Sequence, residues 1–218
     1  LHWSYSDLTN YESCPFKRKL KLDGCKEVQS EHATRGIELH RAVEATIKSG
    51  APIPEELSRW EDRINEITHE GNFVVEELWG LTEDWKPCHW SKAWCRVKLD
   101  IALIGEYACT ALDWKTGKKK PISNADQGNL YLLGLSAYYP NKSMYSYEFQ
   151  YLNDTPLRGG PFKPQQVNRF KKNFERRVNK MFEDKAFNPR PSKKGCEFCG
   201  FNTMCPHSAY DPEESNGS

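Results

Sequence analysis

The sequence predicts an α/β fold, a mixed central β-sheet flanked by helices, on three observations. Apolar residues recur with helical period before residue 71, period-two β-rich stretches follow between 73 and 114, and helix and strand then alternate to residue 183. The remainder is rich in Pro, Gly and Cys and reads as a separate cysteine-bearing segment.

The elements follow in order. Ser4 to Ser13 reads as a short helix capped by Ser4 or Ser6, with Leu8 and Tyr11 on one face, and Lys17 to Leu22 is short and basic. From Glu31 to Ser49 the residues Ile37, Leu39, Val43 and Ile47 keep helical period until Gly50 and Pro52 stop it. Pro54 opens a second helix, Glu55 to Glu70, carrying Leu57, Trp60, Ile64 and Ile67. After Gly71 the stretches Phe73–Leu81, Lys92–Ile104 and Ala108–Trp114 read as strands, the last two joined by a turn near Gly105-Glu106. A helix from Asn124 to Tyr138, a strand from Ser143 to Leu152 and a long basic helix from Pro164 to Glu183 complete the pattern. The last of these turns Val167, Phe170, Phe174, Val178 and Phe182 inward. The expected division is an N-terminal segment 1–30 carrying Cys14, a core 31–190, a cysteine segment 191–210 and a frayed tail 211–218.

Length and composition narrow the function classes. At 218 residues the chain suits one compact domain with a small appendage, and 38% hydrophobic against 28% charged residues allows a core under a solvated surface. A net charge of +1 excludes a polycation drawn to nucleic acid by bulk charge. The positive charge is clustered instead, at Lys17–Lys19, Lys118–Lys120, Lys171-Lys172 with Arg176-Arg177, and Lys193-Lys194. Each cluster reads either as a solvated face or, where several share one surface, as a track for a phosphate backbone. No apolar run approaches a membrane span and no signal pattern opens the chain, so the expectation is a soluble cytoplasmic or nucleoid-associated protein without a membrane partner. No glycine-rich phosphate loop ends in Gly-Lys-Ser/Thr, which excludes a built-in nucleotide motor.

Leu112-Asp113-Trp114-Lys115-Thr116-Gly117 is the most informative short stretch. On a strand, Asp113 and Lys115 share a face because side chains alternate. Most such carboxylate–ammonium pairs are plain salt bridges. Here a second carboxylate, Asp100, lies thirteen positions earlier, and a hairpin at Gly105-Glu106 would bring the two together. Two convergent carboxylates can hold Mg²⁺ or Mn²⁺, which prefer hard oxygen ligands, and a lysine beside them can orient water and offset charge on a phosphodiester. Further pairs sit one helical turn apart: His40 with Glu44 after Arg35-Gly36, and Gln127 with Tyr131. Each has an ordinary reading as an amphipathic edge; their order along one chain is harder to dismiss.

The eight cysteines are unevenly spread. Cys25, Cys88, Cys95 and Cys109 are scattered without ligand spacing, as unpaired buried thiols would be. Cys196-x2-Cys199-x5-Cys205 instead concentrates three thiols in a short loop, and Cys14, whose Cys-Pro follows the first helix, is the best fourth ligand, with His207 and His2 as substitutes. By spacing alone, zinc is the commoner occupant of a four-thiolate site.

Taken together, Tyr11-x2-Cys14-Pro15, Arg35-Gly36-x3-His40-x3-Glu44, Asp100, Asp113-x-Lys115-Thr116-Gly117, Gln127-x3-Tyr131 and the C-terminal cysteines resemble the PD-(D/E)xK nuclease superfamily. The likeness is to its RecB-like branch of AddB-type and CRISPR-associated exonucleases, and it departs from the pattern at Val97, where a glycine often stands. The resemblance implies a restriction-endonuclease-like core, with His40, Asp100, Asp113 and the carbonyl of Trp114 as metal ligands and Lys115 as the catalytic lysine. It makes Gln127 and Tyr131 supports of the site or the DNA. It also implies that Cys14, Cys196, Cys199 and Cys205 hold a [4Fe–4S] cluster clamping the ends of the domain, with zinc as the alternative.

DNA contacts are expected first from Lys118, Lys119 and Lys120, immediately beyond Lys115, then from Arg169 and Lys172 with Arg176 on the long helix, and from Arg35. Trp79, Trp85, Trp90 and Trp94 are expected in core packing. The functional expectation is a Mg²⁺- or Mn²⁺-dependent DNA exonuclease acting on single-stranded or duplex ends in repair, recombination or CRISPR adaptation. It could be cellular or phage-encoded (then in the host cytoplasm), with room for a helicase or recombination/adaptation partner and for oligomers. Two alternatives stand beside it: a non-catalytic nucleic-acid-binding module with a structural zinc, and an endonuclease on the same fold.

Overall fold

Gly71 divides the helical first third of the chain from the sheet, because its backbone is left-handed (φ +72°), a conformation glycine reaches without a Cβ penalty. The computed structural model describes residues 1–211. Its elements are β1 (Trp3–Ser4), α1 (Tyr5–Ser13), α2 (Pro15–Leu22), α3 (Glu31–Ser49), α4 (Glu61–Glu70), β2 (Phe73–Leu81), β3 (Pro87–Cys88), β4 (Cys95–Ile104), β5 (Ala108–Lys115), α5 (Pro121–Tyr138), β6 (Met144–Tyr151), β7 (Leu157–Phe162), α6 (Pro164–Glu183) and α7 (Lys193–Glu197). They group into two compact units, one of residues Leu1–Tyr5 with Arg35–Phe174, the other of Ser6–Thr34 with the chain from Glu175 onward.

The first unit carries a mixed sheet in the order β3-β2-β4-β5-β6-β7, with β1 added in parallel to the start of β4. β5 and β6 are parallel and the other neighbours along this path are antiparallel. A parallel pair needs a crossover, and α5 supplies it between β5 and β6. One face of the sheet is covered by Leu39, Val43 and Ile47 of α3 with Leu57, Trp60, Ile64 and Ile67, packed on Ile101, Leu112 and Trp114. The other face meets α5, whose Leu130, Tyr131, Leu132, Leu133 and Leu135 are buried. Together these form the helix–sheet–helix α/β arrangement predicted from the element order.

Several elements differ from the sequence-based expectation. The predicted helix over 55–70 is a 3₁₀ turn at Glu55–Trp60 followed by α4. The strand expected from Lys92 starts at Cys95, because Trp90–Lys92 forms a 3₁₀ turn, and α5 starts at Pro121, where a proline at the first helical position is well tolerated. β7 has no counterpart among the expected strands, since Gly159, Gly160 and Pro161 read as breakers. It is an edge strand, where proline is accepted, and Gly159 is required because a Cβ there would lie 2.0 Å from the Tyr147 ring. Trp79, Trp85 and Trp94 are buried as expected, whereas Trp90 is only partly covered and lies under the Arg96 guanidinium.

In the second unit Leu8, Tyr11 and Leu20 of α1 and α2 and Val178 and Met181 of α6 are buried. Polar ties join these segments: Tyr11 donates to the Asp184 carboxylate at 3.0 Å, Arg177 pairs with Glu12 at 2.7 Å, and Arg190 donates to the Glu12 carbonyl at 2.9 Å. Among the described residues no helix is long and apolar enough to cross a membrane. The expected frayed tail lies, apart from Asp211, outside the described residues.

Candidate active site

The ladder between β4 and β5 stops at Ile101–Leu112, one row short of Asp100 and Asp113. Past that row the Trp114 N–H, which would continue the ladder, donates to Asp100 Oδ2 at 3.0 Å. The strand pair thus exchanges a backbone acceptor for a carboxylate and opens beside both acids. From α3, His40 Nδ1 lies 3.3 Å from the same Asp100 Oδ2. Gly36 explains how α3 comes so close: a Cβ there would stand 3.2 Å from Thr116 Oγ1, tighter than most real contacts.

Asp113 and Lys115 share the α5 face of β5 and belong to a closed polar circuit. Lys115 Nζ lies 2.8 Å from Asp113 Oδ1 and donates to Gln127 Oε1 at 3.1 Å. Gln127 Nε2 donates to the Tyr131 hydroxyl at 2.6 Å, and Tyr131 returns the circuit to Asp113 Oδ2 at 2.5 Å. The Lys115 ammonium also sits 5.2 Å over the Phe149 ring. Asp113 Oδ1, although ion-paired, accepts no aligned hydrogen bond, so it is a buried carboxylate oxygen with spare capacity.

Electrostatics separates the two acids. Burial raises the Asp113 carboxyl above its ordinary range, helped by the charge of Asp100 and opposed by Lys115 and Tyr131. Burial would also raise Asp100, but His40 and the Trp114 N–H outweigh it and hold Asp100 low. His40 is raised in turn: burial works against its charged form, and Asp100 and Asp113 overcome it. Burial pushes the Tyr131 phenol well above its ordinary value, with Asp113 adding to the rise, so it stays a proton donor to Asp113.

Among the described residues no three His, Cys, Asp or Glu side chains already converge as a metal cage. The donor set nevertheless fits a divalent cation: an imidazole and two carboxylates beside the point where β4 and β5 part, one of them with an oxygen that accepts no aligned hydrogen bond. His40, Glu44, Asp100 and Trp114 line one small cavity of about 10 Å³ with Glu76, a residue the sequence reading passed over. Glu76 sits mid-strand with a left-handed backbone (φ +54°), and nothing in a run of Val-Val-Glu-Glu signals that. The Trp114 indole packs into the core, 4.9 Å from Trp60, so only the backbone of this residue faces the acids.

The expected DNA-contacting residues divide. Lys118, Lys120, Arg169 and Lys172 are exposed. Lys119 is instead engaged with the chain, donating to the Thr155 carbonyl and hydroxyl at 3.0 Å and lying over the Tyr151 ring. Arg35 pairs with Glu38 and Glu56.

In the second unit Cys14, Cys196, Cys199 and Cys205 line a common cavity of about 80 Å³ with Phe16, Lys17, Leu20, Pro189, Arg190 and His207. All eight cysteines are free thiols. The Arg190 N–H points to Cys14 Sγ at 3.3 Å. Burial pushes the Cys199 thiol up; the Phe201 N–H and Lys17 oppose the rise, and Cys196 and Cys205 add to it.

A sheet split at two acids, a lysine two residues beyond one of them and flanking helices define a nuclease-type core, and sequence comparison agrees. The model of the PD-(D/E)XK nuclease superfamily matches residues 2–206, and the chain belongs to that superfamily. Its members typically use divalent metals such as Mg²⁺, and DNA is the substrate the family implies. Among curated proteins none matches this chain. Of solved structures, a protein named "Putative exonuclease" from Eubacterium rectale shares the fold at 13% identity and TM-score 0.50, covering 83% of this chain and 81% of that one. Another, named SSO0001, aligns at 15% identity and TM-score 0.43 over 94% of this chain and 85% of that one.

Proposed function

We propose that the chain is a Mg²⁺- or Mn²⁺-dependent DNA exonuclease that trims single-stranded or duplex ends in repair, recombination or CRISPR adaptation. The observation that carries this reading is the circuit Asp113–Lys115–Gln127–Tyr131 beside the His40–Asp100 pair, with Asp113 Oδ1 left without an aligned hydrogen bond. His40, Asp100, Asp113 and the Trp114 carbonyl would hold the cation. When bound, it supplies a water acidified toward hydroxide and charge compensation for the scissile phosphate. Tyr131 fixes one Asp113 oxygen and so aims the other. Gln127 holds the Lys115 ammonium, partly exposed, where it can orient the attacking water or meet a non-bridging phosphate oxygen. Lys118, Lys120, Arg169 and Lys172 are the exposed cations that would follow the backbone of the DNA.

For the cysteine cavity we propose a [4Fe–4S] cluster held by Cys14, Cys196, Cys199 and Cys205. Four thiols around one cavity suit a soft-ligand group, and it is the resemblance of a distant Cys14 with the Cys196-x2-Cys199-x5-Cys205 loop to the RecB-like branch, not the spacing by itself, that favours the cluster over zinc. Iron, sulfide and zinc analysis of protein prepared without oxygen tests this; a colourless, zinc-loaded protein would overturn it.

The test of the enzyme reading is an assay on end-labelled linear and covalently closed circular DNA, single- and double-stranded, with Mg²⁺, Mn²⁺ or EDTA. Metal-dependent shortening of linear DNA with circles intact is expected. Cut circles would establish an endonuclease instead, and binding without cleavage a non-catalytic module.

A further inference from the structure

Along β4, Val97 lies on the α5 side, close to where a Cβ on Gly134 would stand, while Ile101 belongs to the cluster under α3 and α4. Positions 97 and 101 differ by an even number and should share a face of a regular strand. β2 does the same: Phe73 and Val75 pack on the α3–α4 cluster, whereas Trp79 stacks on Tyr138 of α5 at 4.8 Å. Both strands therefore change faces within the same few residues. Their pairing runs Val75↔Ile101 and Glu77↔Leu99 and is interrupted between them, at Glu76 and Asp100. Glu76 is the residue of β2 with positive φ.

We propose that Glu76 is a positioning residue for Asp100, acting through its left-handed backbone. The bend at Glu76 lets Asp100 and Ile101 both turn toward α3, so Ile101 seals the core while Asp100 reaches His40 and the Trp114 N–H. Local irregularities of this kind re-aim single side chains where a regular ladder could not. The Glu76 carboxylate is paired with Lys98 of β4 at 3.1 Å, so the side chain has an ion-pair partner of its own and the proposed role falls to the backbone. The inference rests on the proposed role of Asp100, yet its geometry can be tested without metal or DNA.

The experiment is amide hydrogen exchange on the whole chain, read at Trp114, whose N–H is held by Asp100, and at Leu112 as a neighbour on the same strand. Glu76→Val, with a β-branched side chain that disfavours positive φ, is expected to speed Trp114 exchange at least about tenfold relative to Leu112. Glu76→Gly and Glu76→Asn, which accept positive φ, are expected to keep Trp114 protected within about threefold. Equal acceleration at Trp114 and Leu112 in Glu76→Val would mean general destabilisation and overturn the proposal. So would unchanged Trp114 exchange in Glu76→Val, or loss of protection in Glu76→Gly and Glu76→Asn. Failure of the nuclease reading would show separately, as wild-type protein with ordinary Trp114 protection and no metal-dependent cleavage.

Discussion

Around Asp113 the chain supplies nearly every polar partner itself: Tyr131, Gln127 and Lys115 close a circuit, and the carboxylate oxygen beside Lys115 keeps spare accepting capacity. Around Cys14, Cys196, Cys199 and Cys205 it supplies a cavity edged by short turns, with N–H groups from Arg190 and Phe201 and a five-residue helix. The first centre is organised before any ligand arrives, since α5 and β5 are locked by core packing on both sides of the circuit. At the second, α2 lines the cavity but three of the four thiols sit on the short α7 and the turns after it, so a bound cluster would have to contribute folding energy as well as fill space. Removing a ligand should therefore cost function at the first centre and the fold at the second.

The strongest way to break that contrast is at the cysteines. Cys199→Ser should lower bound iron from about four per chain to below one and lower the melting temperature by about 10–20 °C, as loss of cluster-coupled folding energy requires. Iron analysis and calorimetry read it; a melting temperature equal to wild type would show that the cavity is built without a ligand. At the other centre, Asp113→Asn and Lys115→Ala should each lower metal-dependent cleavage by about 10³-fold or more while shifting the melting temperature by only about 3 °C. Surviving activity in either variant would remove the residue from the proposed mechanism.

A third test concerns a polar cluster on β6. Glu148, buried on β6, accepts from Gln150 at 2.5 Å, from Arg63 at 2.9 Å and from Arg158 at 3.1 Å. Burial would raise its carboxyl, but Gln150, Arg158 and Arg63 together hold it below the ordinary value. A depressed folded value means stability that is present above the unfolded value and lost as pH falls through the folded one. Glu148→Gln should thus cost about 2 kcal/mol at neutral pH, and the deficit should shrink in acid. Urea unfolding at the two pH values checks both, and a deficit independent of pH would refute the assignment.

His40 provides a smaller effect at the metal site. Its raised value means the ring must shed a proton before it can ligate, so Mn²⁺ affinity should climb as pH rises through that value. Calorimetric titrations should show this slope flattened in His40→Gln. The smallest effects belong to the outer cations: Lys172→Ala or Arg169→Ala should weaken DNA binding a few-fold and reduce the salt slope by about 0.9 for duplex DNA. An unchanged slope would take that residue off the DNA path.

Much of this arrangement is legible without any fold, for a local reason. Period two puts Asp113 and Lys115 on one face, and period 3.6 puts Gln127 beside Tyr131, so each half of the circuit is a short-range property. Apolar spacing likewise marks α3, α5 and α6. What could not be read depends on neighbours distant in the chain. β7 is a strand only because β6 accepts a Gly-Gly-Pro edge, and Lys119 is drawn from the expected DNA face because Thr155 returns beside it. Trp60, where the 3₁₀ turn gives way to α4, packs its indole on Trp114, a contact no local pattern signals.

By itself, then, the sequence determined the residue types and their local phase: an acid and a lysine two apart, an amide and a phenol one turn apart, three thiols in a short loop. Only the tertiary structure decided that β4 and β5 separate a row before their acids and that the Trp114 N–H turns to Asp100. The physical reason is that periodicity governs which way a side chain points. Which partner it meets is set by strand pairing and core packing between residues far apart in the chain.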